Sequence, residues 1–129
     1  MVKGMLGSTT SVWSRMKTIT IRGDEWEADY ILTMLRGMKK GAFQKKQWAP
    51  RDALVAKDGS RATIYTGQEY DPEKMTVRRK FWDHDHCLVC NWLLIDSQGD
   101  DHAVGWFNGY NWLCDECYRL VILENRLNE

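Results

Sequence analysis

Four cysteines fall as Cys87-x2-Cys90 and Cys114-x2-Cys117, with 23 residues between the two pairs. Two residues between thiolates let a tight knuckle aim both sulfurs at one ion, and two such pairs complete a tetrahedron. This spacing predicts one structural metal site, with Zn2+ as the expected ion. Iron is the main competitor, because a four-thiolate site also suits it. Four thiolates leave no coordination position open for water, as expected of a structural site. A redox Cys-x-x-Cys would need a thioredoxin-like βαβ pattern, which this chain lacks.

At 129 residues the chain is long enough for one domain, or one domain with an appended module. Seven tryptophans point to heavy aromatic packing or to anchors for a partner. No apolar run approaches the roughly 20 residues that span a bilayer. The N-terminal stretch has no continuous apolar core of the kind a secretion signal needs. The expectation is therefore a cytoplasmic protein with reduced thiols and no membrane partner.

Net charge is zero but unevenly spread. Residues 1–80 hold 16 Lys/Arg against 9 Asp/Glu, and residues 81–129 hold 2 against 9. Either the two halves pack together and compensate, or one of them presents a charged face to a partner of opposite sign.

Residues 1–16 have no period and read as a flexible extension. Ile19 and Ile21 alternate with polar neighbours, as in a half-buried strand. A helix is expected over about 24–40: Asp24 and Glu27 make a capping box, and Trp26, Tyr30, Ile31, Met34, Leu35 and Met38 form one apolar face. Lys39 and Lys40 would complement its dipole and Gly41 would stop it. Residues 32–51 contain no acid and six bases, Arg36, Lys39, Lys40, Lys45, Lys46 and Arg51. With Phe43 and Trp48 interleaved, Lys39, Lys40, Lys45, Lys46 and Trp48 are candidate nucleic-acid contacts. A solvated helix end would look the same. A hairpin turning at Asp58-Gly59 and a strand over 75–82 follow.

The local pattern around the cysteines fits the site. A short strand over 91–96 and a polar turn lead to a hairpin at Asn108-Gly109, and the second pair opens a C-terminal helix with Asp115 and Glu116 in its first turn. Knuckle, hairpin, and a ligand pair at a helix start resemble a treble-clef zinc finger from about Cys87 to the C-terminus. The expected architecture is α+β: a strand-helix-hairpin part over 17–81 and a treble-clef-like zinc module over 82–129, either as two parts or as one compact domain. Backbone N–H groups at the knuckle and helix start would temper the net charge of −2 on a tetrathiolate zinc site.

Asp83, His84, Asp85 and His86, placed before Cys87-x2-Cys90, also resemble the metal-binding run of HNH nucleases of the recombination endonuclease VII-like group. That resemblance implies a catalytic metal at those four positions and phosphate contacts from the 36–51 segment. Three departures weigh against it. The Asp-His run precedes the first cysteine pair instead of following it. The C-terminal helix offers only Asn125 and Asn128, late in the chain. The knuckle itself replaces the strand and turn that should follow. His84 and His86 are better read as lying beside the metal, where they would hydrogen-bond to its ligands, and His102 as a turn residue. Trp82, Trp92, Trp106 and Trp112 are expected to build the small core that such a finger needs.

The pattern Trp82 to Cys90 followed by Gly109 to Tyr118 is also similar to small bacterial proteins, some of them immunity-like partners of toxins. It implies no catalytic residue. The reading that follows is a non-enzymatic, zinc-stabilised binding protein with a protein partner, toxin immunity being its specific form. A nucleic-acid-binding zinc finger is the alternative and an HNH-like nuclease the second. No small-molecule substrate is implied.

Overall fold

The computed structural model describes residues 2–3, 17–98 and 100–128 of the chain. Strands and helices are mixed in an α+β arrangement with several small sheets. No helix among the described residues is long and apolar enough to cross a membrane.

The first sheet holds Val2–Lys3 (β1), Thr18–Ile21 (β2) and Asp24–Glu27 (β3) in the order β1-β3-β2. The flexible extension expected over 1–16 lies outside the described residues except for β1, which runs parallel to β3. Ile19 and Ile21 are buried, as the alternation predicts.

The expected helix over 24–40 is replaced in its first turn by a strand. β2 and β3 pair antiparallel, with Ile21 opposite Asp24, so Arg22-Gly23 is a two-residue hairpin turn. Both turn residues have positive φ, 50° and 83°, as a type I′ turn demands. Glu27 makes no capping hydrogen bond; the capping box is a strand sequence. Helix α1 then spans only Ala28–Met34, and Gly37, at φ +79°, reverses the chain in place of Gly41. Neither Lys39 nor Lys40 lies in the last helical turn; Lys40 sits in a short 3-10 turn and reaches Asn125 Oδ1 at 3.4 Å.

Gln44–Gln47 (β4) joins a sheet formed mainly far along the chain. It pairs with Val104–Phe107 (β10), which pairs in turn with Trp112–Cys114 (β11). Between these in the chain lie Arg51–Ala56 (β5), Ala62–Ile64 (β6) and Met75–Trp82 (β7), a separate antiparallel sheet with β5 at its centre, in the order β6-β5-β7. Its first turn is the expected Asp58-Gly59, with the Ser60 N–H donating to Asp58 Oδ1 at 2.9 Å. His84–His86 (β8) and Leu93–Ile95 (β9) form a two-stranded ribbon around the first cysteine pair.

One core cluster runs from Ile19, Ile21, Trp26 and Ile31 to Leu113, Leu120, Val121 and the buried cysteines. The N-terminal hairpin and α1 therefore pack on the cysteine-bearing part, across the boundary between residues 81 and 82. A second cluster gathers Trp48, Leu94 and Trp112, with Trp82, Trp92 and Phe107 packed against it. The tryptophans do build core, but around two centres.

Candidate metal centre

Each cysteine pair is delivered by backbone that is itself tied down. The first knuckle closes with the Asn91 N–H donating to Cys87 O at 3.0 Å and the Cys87 N–H to Trp92 O at 2.8 Å. Asn91 takes a left-handed φ of 64°, which an asparagine tolerates better than most residues. The Leu88 N–H then donates to Trp112 O at 2.8 Å, fastening the knuckle to β11. Asn108-Gly109 forms the expected reversal between β10 and β11, with Asn108 Oδ1 accepting from the N–H groups of Tyr110 and Asn111. β11 ends on Cys114, and α2 (Asp115–Cys117) starts immediately after it.

The four sulfurs meet. All lie within 4.8 Å of one another, with Cys90 Sγ and Cys114 Sγ 3.6 Å apart and no disulfide formed. A tetrahedral zinc tetrathiolate with Zn–S bonds of about 2.3 Å places its sulfurs about 3.8 Å apart. Cys87, Cys114 and Cys117 are buried and Cys90 half-buried, so the cluster has the spacing and enclosure to hold a metal ion. No histidine or carboxylate among the described residues joins it.

Without an ion, four adjacent thiols share their protons unequally. Hydrogen bonds from Cys117, Cys87 and Cys90 push the Cys114 thiol far down, whereas the contact with Cys114 pushes Cys117 far up and burial raises Cys87. The Cys117 N–H also donates to Cys114 Sγ at 3.4 Å, so the helix start supplies a backbone donor to a sulfur.

The charge beside the cluster comes from a residue that sequence reasoning missed. Burial alone would lower the Arg22 pKa, but Cys114, Cys90 and Glu116 outweigh it and the net shift is upward. The guanidinium lies 3.6 Å from the Trp92 ring centroid and 3.7 Å from Asp101 Oδ2, and the Arg22 N–H donates to Glu116 Oε2. Only the Arg-Gly dipeptide hinted at a turn here; nothing local marked it as a neighbour of residues about a hundred positions away.

His84 and His86 are exposed on β8 and meet edge to face at 5.2 Å, and His84 Nδ1 lies 2.8 Å from Asp83 Oδ1. Neither contributes a ligand atom to the sulfur cluster. Asp85 turns inward instead, accepting from Trp48 Nε1 at 2.9 Å and Trp82 Nε1 at 3.1 Å. Both its oxygens are occupied by indoles, so the run Asp83 to His86 is not gathered as a metal site. His102 stacks on Trp92 at 4.2 Å and donates from Nδ1 to Leu93 O at 2.7 Å, a packing role beyond the turn position expected.

Among the candidate nucleic-acid contacts, Lys39, Lys40, Lys45 and Lys46 are exposed. Trp48 is 1% exposed, which corrects its assignment: its ring is core and its N–H is spent on Asp85. No known protein family, curated protein or solved structure matches the chain.

Proposed function

We propose that this chain is a non-enzymatic binding protein whose treble-clef-like C-terminal part is held by one zinc ion on Cys87, Cys90, Cys114 and Cys117. The observation that carries the reading is the enclosed quartet of sulfurs within 4.8 Å, joined by no fifth donor from the described residues. Such a set fills a tetrahedral ion's coordination and offers structure, not a reactive water. The experiment is elemental analysis of the purified chain. About one zinc per chain, lost in Cys114→Ser together with tertiary structure, supports the reading. Iron in its place, or no tightly held metal, overturns it.

Recognition then falls to the remaining surface, and the charge pattern favours an anionic partner. Among the acids of the C-terminal part, Asp101 is paired with Arg22 and Glu124 with Arg119 and Arg126, while Asp85 and Asp115 accept from indole N–H groups and keep their charge. Between described residues, Arg22–Asp101 is the one ion pair joining residues 1–80 to 81–129. Most bases of the first part are therefore not neutralised by the second, and a nucleic acid is the partner class this favours. A steep fall of binding with salt supports it; no binding at low salt removes it.

A protein partner, with toxin immunity as its specific form, is the second reading. It is favoured by Tyr110, 91% exposed at the tip of the β10–β11 turn, where an aromatic anchor would reach a partner. Protection of cells against the product of an adjacent toxin-like gene, abolished by Tyr110→Ala, would decide for it.

A further inference from the structure

We propose that the exposed end of β7 forms a short track for single-stranded nucleic acid, with Phe81 as its principal stacking ring and Arg78, Arg79 and Lys80 beside it. This rests on the reading of the chain as a non-catalytic binder and names the surface that binds.

β7 is an edge strand, paired with β5 alone. Up to Val77 its burial alternates, but residues 78–81 are all exposed. The cause is local. Lys80 takes a left-handed φ of 54°, its N–H donates to Asp52 Oδ1 at 3.0 Å, and the register with β5 shifts between Arg51 and Ala53. In a regular strand, residues three apart point to opposite faces. Here the irregularity brings Arg78 and Phe81 together, the guanidinium 4.7 Å from the ring centroid.

The segment 78–84 lines an open cleft of about 670 Å³. Arg78, Arg79 and Lys80 make no ion pair with a described residue, and the cleft's carboxylate, Asp83, is engaged by His84. Phe81 is 40% exposed within this basic surround.

A second cation–ring group lies on the face of Trp82, which alternation along the strand sets opposite to that of Phe81. Arg51 lies in register opposite Trp82, its guanidinium 5.4 Å from the Phe107 ring, and Lys46 Nζ is 5.6 Å from the same ring. Arg51 Nε is buried and has no acceptor. Cations alternating with rings are what a flexible polyanion with stackable bases requires, since phosphates meet the charges and bases meet the faces. Lysine and a bulge also protect a bare sheet edge from pairing with another chain. That role accounts for Lys80 but not for an exposed phenylalanine with an arginine laid on it.

The test is fluorescence anisotropy of labelled oligothymidylate with the full, zinc-loaded chain across a salt series. Binding should weaken steeply with salt, and Phe81→Ala should weaken it roughly ten-fold, as expected for losing one stacked base. Arg78→Ala and Arg79→Ala should each flatten the salt slope by about one phosphate contact, while Lys57→Ala, at the opposite end of β5, should not. Zinc content and near-ultraviolet circular dichroism of every variant report folding separately. No binding by a folded, zinc-loaded chain overturns the track and leaves the metal-stapled fold standing; absence of zinc overturns that reading instead. Unchanged binding in Phe81→Ala and Arg78→Ala, equal affinity for duplex, or equal competition by polyglutamate also overturns the track.

Discussion

Trp48 Nε1 donates to Asp85 Oδ2 at 2.9 Å, and the second oxygen of the same carboxylate accepts from Trp82 Nε1 at 3.1 Å. One aspartate thus ties the start of the β5 sheet, the end of β7 and the ribbon that leads to Cys87. In a nuclease of the HNH type this position would face a metal. Here it satisfies two indoles that would otherwise bring unpaired donors into a core.

Asp85→Ala should therefore act on stability. Leaving two partly buried N–H groups without an acceptor costs about 2–4 kcal/mol, which a urea titration followed by tryptophan fluorescence would measure. Asp85→Asn should cost less, because the amide oxygen still accepts one of the two bonds. A substitution to alanine that leaves the urea midpoint unchanged would show that the clamp contributes little.

Metal removal should reach beyond the cysteine-bearing part. Ile19, Ile21 and Ile31 share a core cluster with Cys87, Cys114 and Cys117, so chelation should strip hydrogen-exchange protection from β2, β3 and α1 as well as from β11. The β6-β5-β7 sheet, whose buried Ala53 and Leu54 lie outside that cluster, should lose less. Protection in β2 and β3 that survives chelation would show that the two parts fold independently.

The metal should also be released on acidification. Burial raises Cys87, and the contact with Cys114 raises Cys117, so both hold protons that an incoming ion must displace. Protons compete for the same sulfurs, hence affinity falls as pH falls and binding at neutral pH liberates protons. Calorimetry in buffers of differing ionisation enthalpy would count them; a heat independent of the buffer would contradict the assignment.

Arg22 offers a separable test of charge against turn geometry. Asparagine tolerates the left-handed φ that residue 22 requires. Arg22→Asn should thus keep the β2–β3 hairpin while withdrawing the cation beside Cys114 and Cys90. Metal affinity, read by competition with a chromogenic chelator, should fall about 10–100-fold, as for other groups that support metal ligands. Arg22→Lys should retain part of it.

Gly105 is the counterpart in packing. It lies in register opposite Cys114, and a Cβ there would stand 3.0 Å from both Leu113 O and Trp112 Cε3. Gly105→Ala should cost about 1–3 kcal/mol in chemical denaturation, because neither the backbone oxygen nor the packed indole can yield freely.

Features carried by neighbouring residues were legible in the chain alone. The cysteine spacing picked out all four sulfurs that converge, and Asp58-Gly59 and Asn108-Gly109 marked two reversals, because each depends on a few adjacent residues. The β7 strand over 75–82 was legible for the same reason. Asp24 to Glu27 was not, since a capping box and a strand after a type I′ turn use the same residues. Pairing with β2 decided between them. Nor could local pattern place Trp48 against Asp85, 37 positions away, or the Arg22 backbone against Glu116, 94 positions away. Such contacts form only when distant segments are brought together, and their energy comes from burial and charge at that meeting point. The chain carries its four converging sulfurs in its spacing; packing selects which arginine stands beside them, and which aspartate is withdrawn from solvent to hold two tryptophans.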